Sequence, residues 1–331
     1  MNQRGFTLIE MMISLIVSGF ILAGVMFTYL SMKVSTNDTL EIGELQESGR
    51  LAMDILRKDI ELTGFWGTFD NDTLSHKLVT SPGVISNDCS EGDNNGSFPI
   101  ESNQSFRFIY ALEAQSNSAL NCINTAVESS DILQIKRVSG KDITEQTEHS
   151  DLYHFVSQST QAQIMMPPAT GTPIVLPHDN ATAWAYKHHV YFIENQSYKM
   201  GNQALEVPTL VRKRLSADKG MVSETIMEGV ENMRFIFGLD TTGDNRVDLY
   251  NTQAQMGQVD WNNASILTVQ VFLLVRSFKE DMNNKAIEKT YILGGTDAAT
   301  QRKLTFNDKY RRTLFVSTIK IANAGDDQWR M

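Results

Sequence analysis

The sequence predicts an α+β fold: one long N-terminal helix, membrane-spanning in its first half and amphipathic in its second, packed on a C-terminal antiparallel β-rich head. Three observations carry this. Met11 to Met32 is a run of 22 residues without a charge, roughly 33 Å as a helix and enough to cross a bilayer. Behind it, apolar residues recur at helical spacing from Ile42 to Ile60, and no proline occurs before Pro82 to break the helix. Beyond Phe106 the chain turns to short apolar or alternating runs separated by turn-forming stretches such as PPATGTPIVLPHDN. That is the spacing of antiparallel strands, not of repeated βαβ units.

The N-terminal stretch reads RGFTLIE and then MMISLIVSGFILAGVMFTYLSM. Glu10 stands where a spanning helix should carry no acid, because an ionised carboxylate in hydrocarbon costs several kcal/mol unless a cation compensates it. A cut after Gly5 would give Phe6 a new amino terminus four residues from Glu10, able to pair with that carboxylate within the chain or between packed subunits. A Sec-type signal would have a shorter apolar core, no acid within it and a small-x-small cleavage site. Gly19, Gly24, Ser14 and Ser18 suit close helix packing. No second apolar run approaches 20 residues, since SILTVQVFLLV ends at Arg276. The chain is expected to cross the inner membrane once, with its head in the periplasm.

In the second half of the helix, Ile42, Leu45, Gly49, Ala52, Met53, Leu56 and Ile60 form one stripe, and Glu44, Glu47, Arg50, Asp54, Arg57, Lys58 and Glu61 gather opposite. Leu40, Leu51, Ile55 and Leu62 lie off that stripe, either as a surface for neighbouring subunits or packed under the domain's own loops. The helix should stop at TGFWG, where Gly64 and Gly67 permit a turn. Strands are expected at Phe106–Leu112, Asp131–Val138, Val190–Ile193 and Leu205–Leu215, after a long polar loop from Asn71 to Ser105.

With 331 residues and 41% hydrophobic content the chain can build a real core. The net charge of −10 argues against a general nucleic-acid binder. Cys89 and Cys122, the whole cysteine complement, lie in the part placed outside the cytoplasm, so a disulfide is the natural reading and two buried free thiols the alternative. Closing that loop would stabilise the fold by roughly 3 to 4 kcal/mol in the chain-entropy view.

DTTGDNRVD places Asp240, Thr242, Asp244, Arg246 and Asp248 at positions one, three, five, seven and nine of a calcium loop. Position twelve is Asn251 instead of a bidentate glutamate and the glycine falls two places early, so a plain hairpin rich in Asp, Gly and Asn explains the same letters. No other cofactor is indicated. His188 and His189 would point to opposite faces of a strand, which disfavours a shared metal site and favours structural or exposed roles. Nucleophile-elbow, zincin, Walker and dinucleotide motifs are missing from the sequence, and no enzymatic activity is expected. Arg212-Lys213-Arg214, Arg302-Lys303 and Arg311-Arg312 are read as solvated strand ends, with a DNA-touching stripe the lesser alternative.

At GFTLIE the chain resembles the type IV pilins with a class III leader. That resemblance implies cleavage between Gly5 and Phe6 by a prepilin peptidase, N-methylation of Phe6, and use of Glu10 to align a subunit entering a filament. GRLAMDILRKDIELTGFWG near the end of the helix, then VENMRFIFGLDTTGDNRVDLY, ILTVQVFLLVRS and KYRRTLFVSTIKIAN, resemble in order the PilW family of minor pilins. These matches cover the first 70 or so residues and Glu228 to Asn323, leaving Asn71 to Met227 unmatched. The spanning run lacks the kinking proline of major pilins, and IKIAN stands where an Arg-Asn pair would be expected.

The resemblance implies a leader at 1–5, a transmembrane half-helix at 6–32, an amphipathic half at 33–63 and a periplasmic head at 64–331. It implies a non-enzymatic subunit that initiates or promotes pilus assembly in a tip complex. The implied partners are other minor pilins, the major pilin, a large tip adhesin and the inner-membrane assembly platform. Two alternatives stay open: a type II secretion pseudopilin of the J kind, and an adhesive or ligand-binding module on a pilin stalk.

Overall fold

The computed structural model describes residues 5, 7–70, 74–83, 85–148, 151–200, 203–262, 266–281, 286–295 and 297–324. The chain divides into two compact units, Met1–Glu47 and Ser48–Met331. A single helix, α1 (Leu8–Glu61), contributes to both.

Within the first unit α1 runs on through Gly19 and Gly24, and its apolar side chains from Leu8 to Val34 are exposed. The hydroxyls in this stretch bond back to the helix itself: Ser14 Oγ donates to the Glu10 carbonyl at 2.8 Å, and Thr28 Oγ1 to the Val25 carbonyl at 2.8 Å. Such bonding satisfies these hydroxyls without water, which hydrocarbon cannot supply. Ile42, the first stripe position, is exposed, which corrects the sequence reading there. Leu40 is exposed as well.

In the second unit the stripe is a core face, with Gly49, Ala52, Met53, Leu56 and Ile60 buried. Opposite, Asp54 and Lys58 pair at 2.8 Å across one helical turn, an exposed contact worth a few tenths of a kcal/mol. Leu51 is exposed, whereas Ile55 and Leu62 are half-buried, so the two readings of the off-stripe residues divide between them. Gly49 is required by packing: a Cβ there would overlap the Phe315 ring. Helix α1 stops where expected, with Gly64 at φ +72° and its amide donating to the Lys136 carbonyl.

The rest of the unit is strand. In chain order these are β1 (Val79–Thr80), β2 (Ile109–Glu113), β3 (Asp131–Asp142), β4 (His154–Ser157), β5 (Ala162–Met165), β6 (Thr182–Met200) and β7 (Gln203–Ser216). There follow β8 (Gly220–Glu228), β9 (Val230–Leu239), β10 (Leu249–Thr252), the short helix α2 (Gln258–Asn262), β11 (Ile266–Arg276), β12 (Ile287–Leu293), β13 (Arg302–Asp308) and β14 (Arg312–Lys320). A large sheet has the order β1-β5-β4-β6-β3-β2, with β7 and β8 continuing from β6. A second sheet is β10-β9-β11-β14, and β12 pairs with β13 as a separate hairpin. Every pairing is antiparallel except β1 with β5.

The expected strands are present, but β6 is far longer than Val190–Ile193 and β4, β5, β8, β12 and β13 were not foreseen. Beneath the large sheet lies an aromatic core in which Trp66, just past the helix, stacks on Tyr186 at 6.3 Å and leans on Phe155 at 5.7 Å. The two sheets are tied by Asp131 of β3. Its carboxylate accepts the Phe235 amide of β9 at 2.8 Å and Arg302 Nη2 of β13 at 2.6 Å. The closing segment IKIAN, whose end the sequence left uncertain, ties back through Ile321 to the Leu267 carbonyl and through Ala322 to the Glu61 carbonyl, both at 2.9 Å.

Candidate assembly site

Helix α1 begins with a reciprocal cap. Thr7 is the N-cap residue; its amide and hydroxyl donate to Glu10 Oε2 at 2.8 and 2.7 Å, and the Glu10 amide reaches back toward Thr7 Oγ1 at 3.4 Å. This is a capping box, T-x-x-E, which uses the third helical residue to satisfy donors that the helix leaves open. The pattern is readable in TLIE, where the acid that intrudes on the apolar run is also the third helical residue after a threonine. Glu10 remains exposed and takes no cation from the described residues of its own chain. Gly5 is exposed, whereas Phe6 and Arg4 lie outside the described residues.

A second acid of the same helix is placed quite differently. Asp59 sits on the buried stripe, one turn past Leu56, and is 4% exposed. Arg137 of β3 donates to its Oδ1 from Nε at 3.1 Å and also from Nη2. His189 Nδ1 and the Tyr191 hydroxyl, both from β6, meet its Oδ2. Burial alone would raise this carboxyl; His189, Arg137 and Tyr191 outweigh burial and hold it well below the usual carboxylate range. His189 is itself lowered, by burial first and against the pull of Asp59, so we assign a neutral imidazole that donates to an ionised carboxylate. The network runs outward from Tyr191 to Arg212, which pairs with Glu224 at 2.8 Å, and on to Arg214, which bonds Glu224 and Asp151. The sequence signal for Asp59, an acid in register with Ala52, Leu56 and Ile60, was available and was not used.

His188 points to the other face of β6, as expected. Its Nδ1 lies 2.8 Å from Ser97 Oγ, which donates to Asp88 Oδ1 at 2.6 Å. Serine, histidine and aspartate are thus together, but the acid holds the serine and not the imidazole, and Ser97 and His188 are fully buried. A nucleophilic triad needs the acid on the imidazole and a reachable hydroxyl. Here the trio anchors the loop that carries the disulfide. Gln134 of β3 completes it, with Nε2 donating to the Cys89 carbonyl at 2.8 Å and lying 3.4 Å from His188 Nε2. Cys89 and Cys122 are bonded, their Cα atoms 5.0 Å apart.

DTTGDNRVD is the loop between β9 and β10. Asp240 accepts the amides of Thr242, Gly243 and Asn245 at 2.7 to 3.1 Å, and Asp248 accepts the Thr241 amide and hydroxyl at 2.7 and 2.8 Å. Asn245, at φ +61°, supplies the sharp turn. The carboxylates are committed to the loop's own backbone, the work the hairpin reading assigns them. Asp244 likewise caps the Arg246 amide at 3.0 Å. Among the described residues no three His, Cys, Asp or Glu side chains gather as a metal site.

The arginine clusters are not solvated strand ends, which corrects that reading. Arg302 is buried between Asp131 and Glu113, Arg311 bonds Asp281, and Arg312 lies between Glu231 and Asp308. These arginines are held by acids of other segments, so they offer no stripe of free positive charge to phosphate.

Comparison with protein families gives two matches. Residues 1–26 match the prokaryotic N-terminal methylation motif, and residues 190–323 match the family of type IV pilus-assembly protein W. The second match begins within the stretch that the sequence reading left unmatched, and the helix end GRLAMDILRKDIELTGFWG lies outside both. No curated protein and no solved structure matches the chain. With its methylation leader, apolar helix and pilin-like α+β architecture, the chain is similar to the PilW family of type IV pilus-assembly proteins over residues 190–323.

Proposed function

We propose that this protein is a minor pilin that starts or promotes type IV pilus assembly as part of a complex at the pilus tip. The observation that carries the reading is Glu10: a carboxylate at the head of an apolar helix, bonded by Thr7 of its own first turn, with no cation on it among the described residues. In this reading a prepilin peptidase cuts after Gly5, the amino group of Phe6 is methylated, and the helix anchors the subunit in the inner membrane until it is drawn into the filament. A neighbour's terminal amine then meets Glu10, because pairing is the least costly way to keep that charge in hydrocarbon. The head presents its faces to other minor pilins, the major pilin, the assembly platform and a large tip adhesin.

The test is Glu10→Ala in the native chromosomal context. Processing to the mature length should be unchanged and surface pili should fall at least tenfold, counted by electron microscopy. Normal piliation by the processed variant would reject the role. Loss of type II secretion with pili intact would point instead to a pseudopilin.

A further inference from the structure

A cavity of about 450 Å³ opens in the head between β2 and the segment that leads into α2, within the roughly 300 to 1,000 Å³ range of small-molecule sites. One wall is apolar: Tyr110 and Trp261 meet edge-on at 5.1 Å, with Met256 beside them. The other wall is polar, formed by Asp93, Glu113 and Gln253. Gln253 is 8% exposed and its Nε2 donates to Glu113 Oε2 at 3.2 Å. An amide nitrogen must face that carboxylate, which leaves the carbonyl Oε1 as the other end; it is buried and has no hydrogen-bond partner. A buried acceptor without a donor is costly, and a cavity beside it is where a donor can arrive.

The charges around the cavity are already balanced inside the protein. Asp93 is paired with Arg107 at 3.3 Å, and Glu113 with Arg302 at 2.8 Å. A ligand bringing a net charge would gain no uncompensated partner and would lose its hydration. What the walls call for is a neutral molecule with several hydroxyl or amide donors on one side and a C–H face on the other. We propose that this cavity binds a neutral pyranose sugar, with a donor of the sugar satisfying Gln253 Oε1 and its apolar face against Tyr110 and Trp261.

Binding is measured by saturation-transfer NMR and calorimetry on the full chain in a sugar-free detergent. The probes are galactose, lactose, N-acetylglucosamine and its cell-wall disaccharide, with glucosamine and glucuronic acid as charged counterparts. The expected result is saturable binding of at least one neutral sugar, at least tenfold tighter than its charged counterparts; the preferred probe separates a cell-wall source from a surface glycan. Gln253→Met keeps the side chain's size and removes the acceptor, and should weaken that binding roughly tenfold, the equivalent of one well-placed hydrogen bond. Gln115→Ala alters an exposed residue of the same rim without touching the core and should weaken it a few-fold, so a folding defect in the first variant leaves the test intact. No saturable binding of any neutral sugar at millimolar concentration, preference for a charged one, or full binding by both variants overturns the proposal.

Discussion

Glu10 and Asp59 are acids near opposite ends of one helix, and their surroundings differ as much as two carboxylates in one chain can. Asp59 has three basic or hydroxylic partners from two strands and is ionised, buried and satisfied. Among the described residues Glu10 has only Thr7, and it lies exposed. An acid whose partners all come from its own chain fixes a fold, because removing it leaves those partners unpaired. An acid capped locally and otherwise open has capacity left for another molecule. The same contrast separates the two units of the chain: the buried carboxylates Asp59 and Asp131 of the head are met by partners distant in sequence, whereas the Ser14, Ser18 and Thr28 hydroxyls of the first unit bond within a turn of their own helix.

Asp59→Ala tests this most severely. Deleting one member of a buried pair leaves Arg137 and His189 without their acceptor and costs roughly 3 to 5 kcal/mol. Chemical denaturation of the full chain should therefore show a large loss of head stability, while Glu10→Ala shows none. If Asp59→Ala is silent in stability but abolishes pili, the division of roles between the two acids is wrong.

Next in size is the disulfide. Asn94, Asn95 and Ser97 are buried in a loop whose Phe98 packs on Tyr153 and Tyr186, so its place against β3 and β6 depends on that ring, on hydrogen bonds and on the Cys89–Cys122 link. Replacing both cysteines with serine should lower stability by roughly 2 to 4 kcal/mol. The loss should appear first as faster amide exchange between residues 88 and 122, with the helix end at Asp59 still protected. Equal loss of protection at both places would merge what the comparison separates.

Much of this architecture was legible in the sequence, for physical reasons that differ by element. The spanning run, the buried stripe and ILTVQVFLLVR of β11 carry their period or apolarity in adjacent residues, so local reading finds them. Strand β13 (RKLTFND) carries charge on both faces, and its Arg302 meets Asp131 and Glu113 from distant strands, which no local pattern announces. The capping box at Thr7 and Glu10 was fully local. Asp59 was half legible: its place on the stripe could be read, but Arg137, His189 and Tyr191 lie about eighty to 130 residues away, and only folding brings them there.

The last effect is graded by pH and belongs to the buried histidines beside Asp59 and Ser97. His188 is held well below the ordinary histidine value, by burial first and then by Lys136 and His189; His189 is lowered by burial, with Arg212 and Arg137 adding to it and Asp59 opposing. Geometry agrees for His188: if Ser97 gives its proton to Asp88, Nδ1–H must donate to Ser97, and a second proton on Nε2 would face the Gln134 amide. The unfolded chain takes up these protons near pH 6.5 and the folded chain does so only at lower pH, so the unfolded state binds more protons in between. Stability is then complete above about pH 6.5 and falls on acidification, by at most about 1.4 kcal/mol per pH unit for each histidine. Asp59 has the opposite kind of group but the same direction: its depressed carboxyl contributes fully above about pH 4 and is lost only below that. Denaturation midpoints of the full chain should therefore decline between pH 6.5 and 5, and His188→Gln should flatten that decline by up to one proton's worth. A flat profile across this range would mean that the buried polar network of the head tolerates charge, and would remove the distinction drawn between it and the open carboxylate at Glu10.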